Sequence, residues 1–183
     1  MIIFDLDGTL ANSDHRKHLV DPNYPHPDYH RKPCEICIGH APHSMDLQYH
    51  NVTGKKWHPD YEAFDEACDK DASIKATLDI LDCLIINDEL IEIWSGRSEK
   101  VKEKTRIWFM ENGITVSGNI KMRMRPIGNN QPDEILKEMW LHDAILIEKK
   151  TIEYVFDDCP KVIRMWRRLG IFVFNCCQHD EEF

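Results

Sequence analysis

Residues 2–10, Ile-Ile-Phe-Asp-Leu-Asp-Gly-Thr-Leu, decide the fold that this chain is expected to adopt. A short apolar strand runs into two carboxylates, Asp5 and Asp7, and Gly8 then lets the chain turn. Residues i and i+2 of a strand lie on the same side, so both carboxylates can reach one point at its carboxyl end. Open α/β sheets bind their ligands at that end. The stretch therefore predicts a ligand site on a strand of a parallel sheet.

Two neighbouring carboxylates repel each other, so one of them requires a proton or a cation. Mg²⁺ meets that requirement and also attracts phosphate groups. The pattern favours phosphate transfer, in which one aspartate attacks phosphorus and a second handles the proton. A strand followed by an acidic turn is the plain alternative. A calcium loop also begins Asp-x-Asp-Gly, but its twelfth position is Arg16 here, where a glutamate is required.

Two further apolar strands end in polar residues. Residues 90–98, Leu-Ile-Glu-Ile-Trp-Ser-Gly-Arg-Ser, carry Ser95 just before a glycine turn. Residues 152–158, Ile-Glu-Tyr-Val-Phe-Asp-Asp, end in Asp157 and Asp158. Adjacent residues of a regular strand point in opposite directions, so the two acids serve one site only if the strand ends there. The Cys-Pro pair that follows favours such an ending.

The predicted strands alternate with predicted helices, and one helix carries Lys137. Lysines on helices usually face solvent, and Lys121 is a weaker rival for a role in the site. Alternation of strands and helices predicts an α/β fold with a parallel sheet covered by helices on both faces. The predicted strands are 2–6, 90–94, 120–124, 152–156 and 171–175, and the predicted helices are 13–20, 61–68, 71–86, 99–112, 133–142 and 160–169.

The order Asp-x-Asp, Ser, Lys, Asp-Asp resembles that of the haloacid dehalogenase (HAD) superfamily of phosphatases. The resemblance spans residues 2 to about 175, apart from an insertion. It implies a HAD-like, Rossmann-like fold with a small cap insertion after the first strand. It also implies that Asp5 forms an aspartyl-phosphate, and that Asp7 protonates the leaving oxygen and then activates water.

The same resemblance implies roles for the remaining motif residues. Ser95 would donate a hydrogen bond to a phosphate oxygen, helped by backbone N–H groups near Gly96. Lys137 would neutralise the phosphate and the Asp5 carboxylate, and Thr9 would help to form the turn beside the substrate. The implied Mg²⁺ ligands are Asp5, the backbone carbonyl of Asp7, Asp157 and Asp158, with Asp157 the stronger candidate of the last pair.

Two longer stretches narrow the resemblance. Residues 124–137 and 157–170 are similar to the phosphatase domain of bacteriophage polynucleotide kinase-phosphatase, as is Ser95-Gly-Arg97. That family removes 3′-phosphates from nucleic-acid ends, and its arginines assist phosphate binding. The matching positions are Arg97 and Arg125, with Arg123 as an additional candidate, and a surface ion pair is the alternative for each. Residues 14–20 followed by 60–68 resemble stand-alone phage phosphatases of the HAD type.

Residues 21–60 differ from the rest of the chain and are predicted to be an irregular cap insertion in a core formed by 1–20 and 61–183. Five prolines lie between residues 21 and 45, and eight of the ten histidines lie between 15 and 58. The candidate ligands of a structural Zn²⁺ are Cys34, Cys37, His40 and His43, whose spacing suits a tetrahedral site. A loop with reduced thiols is an equally weighted alternative.

Composition limits the functional classes. No apolar run approaches the 18 residues of a membrane span, and the chain enters its first strand at once, so a cytoplasmic protein is expected, in the host cytoplasm if the protein is phage-encoded. The Gly-x-x-x-x-Gly-Lys-Ser/Thr loop of a kinase domain is missing from the sequence. The net charge of −9 disfavours broad electrostatic binding to nucleic acid.

Three functions remain open at this level. The close resemblance favours a nucleic-acid 3′-phosphatase. The acidic balance and the insertion favour a nucleotidase that acts on free deoxynucleoside monophosphates. A non-catalytic binding protein organised by the insertion is disfavoured, because the catalytic residues are complete. The expected partner is accordingly a nucleotide or a nucleic-acid 3′-end, with Mg²⁺ as cofactor.

Overall fold

The computed structural model describes residues 1–21 and 58–177. The chain forms two compact units, one of Met1–Asn12 with Ala72–Phe183, called the sheet unit here, and one of Ser13–Asp71, called the small unit. Most of the predicted insertion, residues 22–57, lies outside the described residues. The zinc candidates Cys34, Cys37, His40 and His43 lie there too, so the zinc site stays a prediction.

The sheet unit is built on a five-stranded parallel sheet, as the sequence predicts. The strands of the chain are β1 (Ile2–Asp5), β2 (Ala11–Asn12), β3 (Ala72–Ser73), β4 (Ile91–Ser98), β5 (Ile120–Arg125), β6 (Tyr154–Asp157) and β7 (Val173–Asn175). The order in the large sheet is β5-β4-β1-β6-β7, with β1 at the centre. Strands β2 and β3 form a separate antiparallel pair.

The helices also follow the predicted order. They are α1 (Asp14–Lys17), α2 (Tyr61–Glu66), α3 (Lys75–Ile86), α4 (Lys102–Glu111), α5 (Asp133–His142) and α6 (Pro160–Arg168). Among residues 1–21 and 58–177, none of the helices combines the length and apolarity needed to cross a bilayer.

Several helical segments differ from prediction, and α1 and α2 are shorter than the predicted helices 13–20 and 61–68. The helix predicted from residue 71 starts only at Lys75, because Ala72–Ser73 pairs with β2 and Ile74 N–H donates to the Leu10 carbonyl. The helix predicted from residue 99 opens with a 3₁₀ turn, Glu99–Val101. Helix α5 continues into a π-helical turn, Asp143–Ile147, which helical periodicity does not distinguish from a loop.

Strand β1 is buried on both faces, which explains its unbroken apolar run. Ile2 and Phe4 pack on one face with side chains of β4, α3 and α4, including Leu81 and Trp108. Ile3 packs on the other face with side chains of β6, α5 and α6, including Trp166. Two apolar layers thus hold the central strand, and only its carboxyl end is left for polar chemistry.

The described residues of the small unit, 13–21 and 58–71, contain a buried ion pair. The Arg16 guanidinium donates from Nε and from one Nη to the two Asp71 carboxylate oxygens, each at 2.7 Å. The same guanidinium lies 3.9 Å from the Phe64 ring centroid, and its other Nη donates to the Phe64 carbonyl. His15 adds a contact of 2.8 Å from Nε2 to Asp71. This arginine therefore ties α1 to α2 within the unit.

The two-layer core predicts that Leu81→Ala will lower the free energy of unfolding by about 2–5 kcal/mol, because Leu81 on α3 is fully buried. Ile86→Ala on the same helix is the matched control, because Ile86 is 76% exposed and its loss should change stability by about 0.5 kcal/mol or less. Urea denaturation followed by circular dichroism measures both. Equal midpoints for the two variants would contradict the assignment of this helix face to the core.

Candidate active site

The predicted site residues meet at the carboxyl end of the central strands. Asp5 is the last residue of β1 and Asp157 the last residue of β6, the strand beside it. Ser95 lies on β4, the neighbour on the other side, one residue beyond the partner of Asp5. Lys137 reaches the same end from α5. A topology with β1 in the middle of a parallel sheet thus brings together residues that are far apart in sequence.

The Lys137 ammonium group lies between two carboxylates. Its Nζ is 2.5 Å from Asp5 Oδ1 and 2.8 Å from Asp157 Oδ2. All three side chains are buried. The rival candidate Lys121 is exposed on β5. Lys137, singled out by motif order alone, is therefore the lysine that contacts the aspartate of the first motif.

This cluster contains more acids than bases. Burial, together with the nearby Asp157 and Asp158 charges, raises the pKa of Asp5 well above its ordinary value, although Lys137 acts in the opposite direction. Burial alone would lower the pKa of Lys137, but the Asp157 and Asp5 carboxylates outweigh that effect and raise it. Burial and the Asp157 charge raise the pKa of Asp158 to about 6. Lys137 therefore stays protonated, and the Asp5 and Asp157 carboxylates share its single positive charge.

Strand β6 ends at Asp157, which is the condition for both acids of the pair to serve one site. Carboxylate oxygens of Asp5, Asp157 and Asp158 all lie within 4.8 Å of one another. Asp158 accepts a hydrogen bond from Thr9 Oγ1 at 3.2 Å. Three close carboxylates around a single ammonium group suit a divalent cation with oxygen ligands, so this donor set fits the Mg²⁺ that the sequence predicts.

Gly8 makes room for Asp158. Its φ of +90° lies in the left-handed region that favours glycine. A Cβ at this position would lie 1.9 Å from Asp158 Oδ2, which is closer than any real contact. The glycine of the first motif therefore serves two purposes, the turn after the strand and the close approach of an acidic side chain.

Asp7 is held by an arginine that the sequence assigns to substrate binding. Arg97 Nε is 2.9 Å from Asp7 Oδ2, and one Nη of Arg97 is 2.7 Å from Asp7 Oδ1. Arg97 is buried, and its other Nη lies 3.5 Å from Thr105 Oγ1. Such a two-pronged pair fixes the plane of the carboxylate. Arg97 thus contacts the predicted acid–base residue directly.

Ser95 and Gly96 lie beside this pair within β4, where the pairing with β5 shifts register, and do not form the turn that the sequence predicts. Ser95 is buried, and its Oγ accepts a hydrogen bond from the Arg97 backbone N–H at 3.1 Å. The Gly96 carbonyl accepts from Arg125 Nε at 2.8 Å, and Arg125 also pairs with Asp133 at the start of α5. A Cβ on Gly96 would lie 2.7 Å from Asp133 Oδ1. Arg125 therefore connects this part of β4 to the start of α5.

The structure does not bring Arg123 to the carboxylate cluster. Its guanidinium pairs with Glu148 at 2.6 Å, lies 3.5 Å from Glu92, and stands 5.3 Å from the Trp94 ring. Arg123 and Arg125 are two residues apart on β5, yet the pairing of β5 with β4 shifts register between them. Such a bulge re-aims side chains, which accounts for their different partners. Arg123 therefore forms ion pairs, which were the alternative to its predicted role in phosphate binding.

Sequence reasoning missed two residues that support the site. Trp166 on α6 donates its indole N–H to Asp157 Oδ2 at 3.2 Å. Thr77 on α3 donates its hydroxyl to the Thr9 carbonyl in the first-motif turn. The helix pattern places Trp166 on a buried face, but it carries no signal for where a ring nitrogen points. A buried indole N–H does require an acceptor, and that requirement was the available clue.

The fold and the site together define a phosphatase of the haloacid dehalogenase type. A family profile described as "Polynucleotide kinase PNKP phosphatase domain" matches residues 57–181, and the chain belongs to that family. The match agrees with the resemblance drawn from the motifs.

Individual relatives agree with this assignment. The "Putative bifunctional polynucleotide kinase/RNA ligase" of Autographa californica nuclear polyhedrosis virus is 33% identical over 130 residues, which cover 68% of this chain and 18% of the viral protein. In the solved "Structure of Pnkp1/Rnl/Hen1 complex", one chain is similar with a TM-score of 0.61 and 21% identity, covering 98% of this chain and 46% of that one.

A crystal structure named "Putative Phosphatase from Clostridium difficile" is similar with a TM-score of 0.58 and 16% identity, covering 95% of this chain and 83% of that one. At these identities the solved structures support the fold alone. The chain spans less than half the length of the viral relative and of the chain in the Pnkp1/Rnl/Hen1 complex.

The approach of Asp158 to Gly8 predicts that Gly8→Ala will weaken Mg²⁺ binding by about tenfold or more, because the new methyl group displaces a carboxylate of the cluster. Gly113→Ala is the matched control, since Gly113 has a φ of +82° and open space around its Cα. Calorimetric titration with Mg²⁺ compares the two. Equal weakening in both variants would assign the effect to backbone strain and not to Asp158.

Proposed function

We propose that this phosphatase is a Mg²⁺-dependent phosphomonoesterase that works through an aspartyl-phosphate on Asp5. The observation that carries the proposal is the buried contact of Lys137 with Asp5 and Asp157, beside Asp158. A buried ammonium group at the nucleophile stabilises negative charge as it develops on the transferring phosphoryl group. A low-dielectric setting makes that stabilisation stronger than it would be in water.

In the first step, an Asp5 carboxylate oxygen attacks phosphorus, and the bond from phosphorus to the leaving oxygen breaks. Asp7 gives its proton to that leaving oxygen. In the second step Asp7 takes a proton from water, the hydroxide oxygen bonds to phosphorus, and the bond from phosphorus to Asp5 breaks. Inorganic phosphate is released and Asp5 is regenerated.

Through Arg97, binding of the substrate phosphate would be linked to protonation of the Asp7 carboxyl group. Its guanidinium pairs with the Asp7 carboxylate in the structure. The substrate phosphate is a second anion for the same guanidinium, and sharing Arg97 with it lets Asp7 hold the proton that the leaving oxygen needs. Ser95 supplies a hydroxyl from the neighbouring strand β4, where it can donate to a phosphate oxygen.

Asp5, Asp157, Asp158 and the Asp7 carbonyl would hold Mg²⁺, whose charge would neutralise the acids and the incoming phosphate. Burial raises the pKa values of Asp5 and Asp158, and the charges of the neighbouring carboxylates add to that effect. A bound divalent cation relieves that repulsion.

The substrate class that we propose is a nucleic-acid 3′-phosphate end. Support comes from the family of polynucleotide kinase phosphatase domains and from the viral relative, whose name combines polynucleotide kinase and RNA ligase. A nucleotidase acting on free deoxynucleoside monophosphates is the second candidate, and the net charge of −9 favours it, because an acidic protein attracts a long polyanion poorly.

A substrate panel separates these candidates. With Mg²⁺ present, kcat/KM should be at least about tenfold higher for a 3′-phosphorylated oligonucleotide than for the free 3′- and 5′-monophosphates, since a strand adds contacts beyond the phosphate. The same oligonucleotide phosphorylated at its 5′-end is the matched control. Higher kcat/KM for the free monophosphates would favour the nucleotidase, and activity that survives EDTA would contradict the proposed metal requirement.

Asp5→Asn should abolish turnover with little change in shape, because an amide cannot act as the carboxylate nucleophile. The expected loss in kcat exceeds a hundredfold, which corresponds to about 2.7 kcal/mol of activation free energy. Asp79→Asn, at an exposed position on α3, should retain wild-type kcat. Release of phosphate from an aryl phosphate measures both, and a variant at position 5 that keeps more than a hundredth of wild-type kcat would remove Asp5 from the mechanism.

A further inference from the structure

Trp166 connects the buried apolar layer of α6 to the acidic cluster. Its ring is fully buried and packs 5.7 Å from the Trp94 ring at an angle of 43°. Its indole N–H points away from that layer and donates to Asp157 Oδ2 at 3.2 Å. An indole N–H in an apolar layer must find an acceptor, and here the acceptor belongs to the site.

Asp157 is fixed by three N–H donors from three parts of the chain. Lys137 and Trp166 both donate to Oδ2, and the Cys159 backbone N–H donates to Oδ1 at 3.0 Å. The terminal torsion of an aspartate has a broad energy minimum, so packing alone leaves the carboxylate plane poorly defined. Donors on both oxygens set that plane.

We infer that Trp166 is a positioning residue of the phosphatase site, which acts by holding the Asp157 carboxylate in the orientation that aims Lys137 at Asp5. Asp157 Oδ2 is one of the two acceptors of the Lys137 ammonium group, and Asp5 Oδ1 is the other. If Asp157 turns, the lysine loses one of the two contacts that place it at the nucleophile. The inference rests on the proposed function for its kinetic consequence, while the hydrogen bond itself can be tested without turnover.

Trp166→Phe keeps an aromatic ring in the layer, removes the N–H donor and leaves a smaller ring in its place. We expect kcat to fall about tenfold to a hundredfold, as for other residues that orient the side chains of a metal site, with KM changed by less than twofold. Trp140→Phe is the matched control, because Trp140 is buried in the same layer and meets the Trp94 ring edge to face. It should keep wild-type kcat. The midpoints of thermal unfolding show whether the two variants lose similar packing.

A nuclear magnetic resonance measurement tests the hydrogen bond apart from activity. The chain has five tryptophans, so five indole N–H signals are expected in a ¹H–¹⁵N spectrum, and the signal lost in Trp166→Phe identifies that of Trp166. Addition of Mg²⁺ alone should move this signal more than that of Trp140. Asp157→Asn should also move it more than Asp158→Asn does.

The outcomes separate the inference from the proposed function. If kcat is unchanged in Trp166→Phe, or falls equally in Trp140→Phe, the positioning role is overturned. If the indole signal of Trp166 responds neither to Mg²⁺ nor to Asp157→Asn, the role is overturned as well. If wild-type protein lacks phosphatase activity while the indole signal responds as expected, the proposed function fails and the link from Trp166 to the metal-binding acids stands.

Discussion

The contact of a single buried ammonium group with two buried carboxylates is the interaction on which the site depends. Lys137 comes from α5, Asp5 from β1 and Asp157 from β6, so the contact joins the central strand, its neighbour and a helix on one face of the sheet. Removing one member of a buried ion group leaves the others uncompensated, which typically costs about 3–5 kcal/mol. The arrangement is therefore a constraint on folding as well as the centre of the proposed mechanism, and the two apolar layers of the sheet supply the free energy that keeps these charges out of water.

Much of the fold could be predicted because its signals are local. A continuous run of apolar residues and a glycine after two acids define β1 and the turn that follows it. Helix α5 was predicted with its observed bounds, Asp133–His142, since an acidic first turn and a regular apolar face mark it clearly. The π-helical turn Asp143–Ile147 that follows α5 was not predicted, because its residue composition does not differ from that of a loop that leaves a helix.

The predicted site residues lie together where spacing along a strand fixes the direction of a side chain, and apart where a long side chain can reach several partners. Asp5 and Asp157 end adjacent parallel strands, so their meeting follows from topology. Arg123 and Arg125 have the strand spacing that predicts a shared face, but the register shift beside Ser95 separates them. A bulge arises from how two strands pair, and neither strand carries it in its own sequence. For Trp166 the sequence pattern likewise predicts that the ring is buried, but it does not predict which group accepts the indole hydrogen bond.

The charges of the site also explain why binding of a phosphate group and binding of a metal ion should each strengthen the other. Each cation assigned to the substrate is already paired with an acid in the structure: Lys137 with Asp5 and Asp157, Arg97 with Asp7, Arg125 with Asp133, and Arg123 with Glu148. A phosphate group that enters must compete with these carboxylates for its donors. A divalent cation held by Asp5 and Asp157 would shift that competition at Lys137, because it would take over the two carboxylates that the lysine contacts and leave more of the lysine charge to the phosphate. By linkage, bound phosphate must then strengthen the binding of the cation by the same factor. An acidic protein could in this way act on an anionic substrate, because the metal ion would offset the negative charge of the acids and the phosphate would offset the positive charge of the metal ion and the lysine.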